Sequence, residues 1–568
     1  MRRLAFAILA AVLAAPWTAG GSGPAYRPAG PPYSLFTVPK PVPASADRPR
    51  LVVVLVVDQM RNDYIDEYGA HWTKGLHRLV TEGARFRRAA YPYLDTVTCA
   101  GHATISTGAV PATHGIILNQ WWHRDVQREL SCTEDPAAPS IGYGAARPAN
   151  GHSAKRLMAP ALAQLMRAAQ GGRSRVVTLS MKPRSAIMLA GGPADAVTWF
   201  DGTSFATSAA FASARVPFVA QALAARPIEA DSGVSWDRML PPAAYKFVDA
   251  GEGEKPLAGW TRLFPHRLAG APAAPFYTQW AGSPYADEYL ERMAEAAVEA
   301  LRLGQRETTD YLGVSFSALD TVGHRFGPRS HEVQDVLARL DITIGRLLDR
   351  LDAKVGRGKY VVALSADHGV ADIPEQLTRA GLDAGRAIMD AASGRAEIAA
   401  TAALGPGKYV ARMDYTNLYF LTGVFDRLTA NPARLQAVMQ GLRELRGVAH
   451  VIDSRKLESA PPPSDPALRA AALSHYRGRS GDLIVIPKMN WIWVAADGSA
   501  TPGDGTTHGT LYPYDARVPV VLFGAHVKAG QYDGDASPAD IAPTLAKMCG
   551  IAMPAATGRV LAEAVGLP

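Results

Sequence analysis

The chain has 568 residues, 59 Lys and Arg against 52 Asp and Glu, 48% apolar side chains and 20% charged ones, which excludes a disordered or fibrous protein and allows a large core. The formal charge of +7 is a mild excess that suits small phosphorylated molecules, and without a long basic run it argues against nucleic acid as the main partner. No internal repeat is visible, and 52 Gly with 42 Pro fit a loop-rich enzyme better than a helical bundle.

Met1-Arg2-Arg3, an apolar run from Leu4 to Pro16 and Thr18-Ala19-Gly20 read as a secretory signal peptide over 1–20. That run is too short to span about 30 Å of hydrocarbon, and no later segment reaches about 20 uninterrupted apolar residues. The expectation is therefore an exported, periplasmic or extracellular protein with no stable membrane anchor, and a monomer. Residues 21–48 form a Pro-, Gly- and Ser-rich leader. Three cysteines, Cys99, Cys132 and Cys549, leave at least one unpaired, and the fold is expected to do without disulfides.

Leu51 to Val57 is apolar on both faces, β-branched, and stops at Asp58, as a central parallel strand should. Arg175–Leu179 predicts another strand. Tyr311–Phe316 leads to Asp320, and Tyr360–Ser365 leads to Asp367-His368. Between them Glu332 to Lys354 predicts an amphipathic helix, with Val333, Val336, Leu337, Leu340, Ile344 and Leu347 at helical spacing. Val518–Phe523 predicts a strand before a helix opening at Ser537-Pro538. Together these give an α/β fold with a doubly wound, mostly parallel sheet. Residues 49–568 read as one catalytic domain, with cap insertions at about 200–280 and 371–505 that carry strand signals at Tyr409–Arg412 and Asp482–Ile486. Ligands of open α/β sheets sit beyond the carboxyl ends of the strands, so the carboxylates placed there should converge.

Asp58, Asp320, His324, Asp367, His368 and His508 supply three carboxylates and three imidazoles, donors that zinc accepts. Singly, each would be a turn, cap or surface residue; crowded together, uncompensated carboxylates repel and need cations. Asp95-Thr96-Val97-Thr98-Cys99-Ala100-Gly101-His102 puts Thr98 at a helix N-terminus, where amide groups and the helix dipole favour an anion. Beside a metal, the Thr98 hydroxyl could ionise near neutral pH and attack phosphorus. His102 and His114 read as structural hydrogen-bonders.

Thr98-Cys99-Ala100-Gly101-His102, Asn119-Gln120-Trp121-Trp122, Lys182-Pro183-Arg184-Ser185-Ala186, Asp320-Thr321-Val322-Gly323-His324, Ala366-Asp367-His368-Gly369 and Gly505-Thr506-Thr507-His508-Gly509 resemble the signatures of the alkaline phosphatase superfamily. Within it the chain resembles the type I phosphodiesterase and nucleotide pyrophosphatase branch, and most closely the bacterial threonine-nucleophile zinc alkaline phosphatases of PhoK type. The resemblance implies two zinc ions per chain, one on Asp58, Thr98, Asp367 and His368, the other on Asp320, His324 and His508. It implies a covalent phospho-threonine on Thr98, with the second zinc at the leaving oxygen and Asn119, Lys182 and Arg184 holding the phosphate. A Lys and an Arg fork suit a monoester dianion, which carries one more ionised oxygen than a diester.

The implied activity is hydrolysis of small phosphate monoesters with release of inorganic phosphate. The alternatives are a phosphodiesterase or nucleotide pyrophosphatase of the same fold, and, from another class, a non-catalytic binding protein, whose mark would be a missing ligand or nucleophile. None is missing. A sulfatase would need Cys or Ser in a Cys/Ser-x-Pro-x-Arg context, which Cys99-Ala100-Gly101-His102-Ala103 does not supply. A manganese-dependent phosphoglycerate mutase would explain neither Thr98 nor export.

Overall fold

The computed structural model describes residues 48–145, 148, 150–458, 464–495 and 504–566. The expected signal peptide and the leader up to residue 47 lie outside the described residues. The centre is a ten-stranded sheet made of β1 (Leu51–Val57), β2 (Ala84–Ala89), β3 (Ser140–Gly142), β4 (Val176–Ser180), β5 (Ala196–Phe200), β6 (Phe205–Ser208), β7 (Asp310–Phe316), β8 (Tyr360–Ser365), β9 (Val520–Gly524) and β10 (Gly530–Ala536). Their order is β10-β2-β9-β8-β1-β7-β4-β5-β6-β3.

The five strands from β8 to β5 run parallel. Both flanks carry antiparallel strands: β9 against β8 and β2, β6 against β5, and β3 against β6. The sheet is thus mixed, with a parallel centre. The segment predicted as a strand over Val518–Phe523 is β9, running against its neighbours, a direction that hydrophobicity alone does not encode.

β1 shows why the run of seven apolar residues forms the middle strand. Val53, Leu55 and Val57 face one apolar cluster, and Val52, Val54 and Val56 face another, so alternation divides the strand between two cores, each buried side chain contributing roughly 1.5–3 kcal/mol. Helices cover both faces. Four of them position the site: α1 (Thr98–Thr107), α2 (Pro183–Ala190), α3 (Ala318–Phe326) and α4 (His331–Leu351). Ser330 caps α4 by accepting from Val333 N, and the helix buries Val333, Val336, Leu337, Leu340, Ile344 and Leu347. It ends in a wide turn over Asp352–Gly356, short of the predicted Lys354 end.

Residues 410–487 form a separate four-stranded sheet of Val410–Asp414, Asn417–Phe420, Leu483–Pro487 and Val448–Asp453, with its own apolar cluster around Leu418, Val438, Leu442 and Val485. The stretch from 200 to 280 differs. It gives β6 to the central sheet, pairs Ser235–Trp236 with His266–Arg267 and buries Phe218, Trp236, Phe276 and Trp280 in the main core.

The expectation that the fold does without disulfides is corrected. Cys99 and Cys132 are bonded and both fully buried, and Cys549 is free and buried. Pairing depends on the hairpin Gln120–His123/Arg128–Ser131 folding back onto α1, a long-range event that cysteine counting does not show. In the chain-entropy picture, closing a loop with a separation of 33 residues stabilises by about 3–4 kcal/mol. Cys99→Ala with Cys132→Ala should therefore lose stability of that order in denaturant unfolding; a midpoint equal to wild type would show that the cross-link is neutral.

Candidate active site

Each acidic residue arrives where a parallel strand ends. Asp58 follows β1, Asp320 lies in the first turn of α3 after β7, and Asp367 stands two residues past β8. All three are buried, as are His368 and His508. His324 sits one helical turn beyond Asp320, with Nε2 3.4 Å from Asp320 Oδ1.

Three imidazoles share one arrangement. His324 Nδ1 donates to Thr506 O at 2.9 Å, His368 Nδ1 to Gly369 O at 2.9 Å and His508 Nδ1 to Thr96 O at 2.9 Å. With one proton committed to Nδ1, a ring that is neutral turns a bare Nε2 lone pair inward. Burial depresses His368 and His508, whereas burial would also lower His324 but the Asp320 carboxylate beside it pushes it up to about 9. His368 Nε2 lies 3.6 Å from Asp58 Oδ1, 3.5 Å from Asp367 Oδ2 and 3.3 Å from Thr98 Oγ1. His508 Nε2 lies 4.0 Å from Asp320 Oδ1, and its ring stacks on His368 with centroids 3.5 Å apart.

Lone pairs facing carboxylate oxygens repel unless a cation stands between them. Asp58 Oδ1 is buried with no hydrogen-bond partner, and Asp367 Oδ2 faces His102 Nδ1 at 3.2 Å and His368 Nε2 at 3.5 Å. Two sets have ligand atoms close enough to hold one ion each: Asp58, Asp367 and His368, and Asp320, His368 and His508. These donors fit a metal centre, as the sequence led us to expect. Thr98, whose hydroxyl touches His368, borders the first set, and His324 borders the second.

The titration directions carry the same tension. Burial, then Asp320 and Asp367, push Asp58 well above the usual carboxylate range. Burial would also raise Asp320, but Lys182 and His324 hold it well below. Burial depresses His508, as do the neighbouring His368 and His324. Lys182 Nζ bridges Asp58 Oδ2 at 2.7 Å and Asp320 Oδ2 at 2.6 Å. One ammonium cannot balance three buried carboxylates.

Thr98 is the first residue of α1, not the residue before it, and is buried. The helix lies so close to the sheet end that a Cβ on Gly101 would sit 2.2 Å from Asp367 O, so a side chain there would displace Thr98 from the acidic cluster. Asn119 Oδ1 accepts from Cys99 N at 2.8 Å. This turns its amide NH2 away from that bond, free to donate. Lys182 caps α2, with Arg184 in the first turn, and Arg184 Nε is buried without a partner, a donor in want of an acceptor. His102 contacts the cluster from outside: Nδ1 meets Thr98 O at 2.8 Å and Asp367 Oδ2 at 3.2 Å, and Nε2 meets Ser315 Oγ at 2.8 Å. His114 likewise bonds Thr104 Oγ1 and Ile116 N.

Sequence reasoning missed Gln59. Its backbone stands at φ 71°, a left-handed conformation that costs a non-glycine residue free energy. The twist lets Gln59 N donate to Asp367 Oδ1 at 3.1 Å while Nε2 donates to Asp320 Oδ1 at 2.9 Å, so one residue fixes carboxylates from both donor sets. A Cβ on Gly323 would strike Gln59 Oε1 at 1.8 Å, which explains a glycine between Asp320 and His324. Asp504, near His324 Nδ1 and Arg325 Nε, was also missed. Neither residue type carries a motif of its own.

The family model for type I phosphodiesterase / nucleotide pyrophosphatase matches residues 52–511. The chain is 31% identical over 543 residues to alkaline phosphatase PhoV of Synechococcus elongatus, covering 92% of this chain and 94% of that one. It is 32% identical over 526 residues to alkaline phosphatase PhoK of a Sphingomonas species, covering 90% of each. Among solved structures, wild-type alkaline phosphatase PafA superposes with a TM-score of 0.84 at 29% identity, over 92% of this chain and 100% of that one.

Gln59→Ala should weaken divalent-metal binding about 10–100-fold, measured by competition with a chelating indicator. An unchanged affinity would mean that Asp320 and Asp367 keep their places without the amide.

Proposed function

The chain belongs to the type I phosphodiesterase / nucleotide pyrophosphatase family, and from that footing we propose that it is an exported, zinc-dependent alkaline phosphatase acting on small phosphate monoesters through a phospho-threonine on Thr98. Its relatives PhoV and PhoK bear the name alkaline phosphatase over nine-tenths of the chain, and the PafA fold matches nearly throughout. The activity class is that of a phosphoric monoester hydrolase.

One observation carries the choice of monoester. Beside the acidic centre stand Lys182, within 2.7 Å of Asp58, and Arg184, whose buried Nε lacks a partner. Two fixed cations favour a phosphoryl group with three unesterified oxygens over a diester with two.

Asp58, Asp367, His368 and Thr98 would hold one ion, and Asp320, His324 and His508 the other; the mix of oxygen and nitrogen donors suits zinc. When bound, such ions supply positive charge that lowers the pKa of a nearby hydroxyl and balances the charge on the departing oxygen. The protein's own groups do the rest. The start of α1 aims Thr98 Oγ at phosphorus, which gains a bond to Oγ and loses its bond to the alcohol. Water then displaces Thr98 and releases inorganic phosphate. The Asn119 amide, oriented by Cys99 N, donates to one nonbridging oxygen, while Lys182 and Arg184 hold the others. Export is supported by the N-terminal pattern and by the Cys99–Cys132 disulfide, a bond that persists in oxidising compartments. No helix among the described residues is long and apolar enough to cross a membrane.

Thr98→Ala should lose several orders of magnitude in kcat, with Thr98→Ser keeping part of the activity; an alanine variant as fast as wild type would exclude Thr98 as nucleophile. Lys182→Ala with Arg184→Ala should lower kcat/KM for an aryl monoester by about two to four decades, each charge-assisted contact being worth roughly 1.5–3 kcal/mol. A matched diester should lose far less. Equal losses would remove these two side chains as the basis of monoester preference.

A further inference from the structure

The insertion sheet reaches the catalytic centre at one turn. Val410–Asp414 and Asn417–Phe420 pair antiparallel with Asp414 opposite Asn417, so Tyr415 and Thr416 alone make the connection. Tyr415 stands at φ 50°. In two-residue hairpin loops a positive φ at this position selects Gly, Asn or Asp, and a bulky side chain there is a strained choice. Strain of this kind points to something the side chain does.

The ring does not fill the insertion's own core. Its Cδ1 and Cε1 lie 3.0 and 3.2 Å from where a Cβ on Gly509 would stand, a point only 3.5 Å from Val97 Cγ1. Gly509 follows His508 and Val97 precedes Thr98, so the ring, which packs against the apolar cluster of Val97 and Cys99, lies beside the segments that carry a donor-set histidine and the nucleophile. Its phenol lies within electrostatic reach of Arg184, Asp504 and Asp320, with the Thr507 hydroxyl beside it. The ring is only partly buried, leaving surface for a ligand.

The turn is fixed from several sides. Thr416 Oγ1 donates to Asp95 Oδ1 at 2.5 Å and Asn417 Nδ2 to Asp95 Oδ2 at 3.4 Å. Val485 N donates to Thr416 O at 2.7 Å, and Gly481 N to Asn417 Oδ1 at 2.9 Å. Asp95 lies three residues before Thr98, so the same carboxylate anchors the turn to the nucleophile loop, and Tyr415 is held in place before substrate arrives.

We propose that Tyr415 is a specificity-determining residue whose ring forms one wall of the leaving-group subsite and selects monoesters with planar, apolar alcohols. The inference rests on the monoesterase reading, in which Asp320, His324 and His508 mark the leaving-group side. Inorganic phosphate has no organic group and does not use this wall, whereas an aryl ester lays its ring against Tyr415.

The test compares p-nitrophenyl phosphate turnover with competitive inhibition by inorganic phosphate in wild type, Tyr415→Ala, Tyr415→Gly and Tyr415→Phe. Loss of one aromatic contact predicts a fall in kcat/KM of about three- to tenfold in the alanine and glycine variants, carried by KM. Inhibition by phosphate should shift by less than about twofold, and Tyr415→Phe, which keeps the ring, should recover most of the loss. The glycine variant accepts φ 50° without strain, so it serves if alanine perturbs folding. Unchanged aryl turnover in both ring-less variants overturns the proposal. So does an equal weakening of phosphate inhibition, which would make Tyr415 a support of the whole site. A wild type without monoesterase activity would instead overturn the reading on which the inference rests.

Discussion

Three carboxylates and three imidazoles meet in a largely buried cluster, and the rest of the site is arranged around that charge problem. The meeting is forced by topology: β1, β7 and β8 are adjacent and parallel, so the chain leaves all three at the same edge, and the acidic residues that follow them have nowhere else to go. Asp58 Oδ1 finds no donor, Asp367 Oδ2 faces the ring nitrogens of His102 and His368, and His324, His368 and His508 each spend their Nδ1 proton on a backbone carbonyl. A group of buried anions facing lone pairs is stable only around cations. Lys182 is one, bridging Asp58 and Asp320. The remaining deficit is what bound metal would fill.

Positioning elements follow from this demand. Gln59 adopts a left-handed backbone to hold Asp320 and Asp367 together, and Gly101 and Gly323 are small because Asp367 and Gln59 leave no space for a Cβ. The disulfide joins the second residue of α1 to the hairpin behind Asn119, and Cys132 N donates to Asn119 O at 2.9 Å. The start of α1 and the Asn119 amide beside it are thereby tied by one covalent and two hydrogen-bonded links.

Much of this was legible in the sequence wherever one residue type in one pattern has one physical meaning. A seven-residue β-branched run ending in Asp reads as a buried strand feeding a site, and β1 and β8 carry the predicted bounds. The six metal-ligand candidates and Thr98 converge because strand ends announce themselves by burial period. What stayed hidden depends on through-space partners. Gln59 and Asp504 belong to no motif, the Cys99–Cys132 bond needs the hairpin to fold back, and the reversed direction of β9 leaves no mark in its apolar pattern. Tyr415 is invisible for the same reason: the two loop residues, Tyr415 and Thr416, include none of the Gly, Asn or Asp that announce a positive φ there.

The measurement closest to the central claim is a count of bound metal set beside folding stability. Protein equilibrated with zinc and then freed of excess should carry two ions per chain by elemental analysis. A chelator that removes them should abolish monoester turnover and lower the melting temperature, because the buried carboxylates lose their counter-charge, and re-added zinc should restore both. A chain shown to be metal-free that keeps full turnover and an unchanged melting temperature would contradict the account at its foundation.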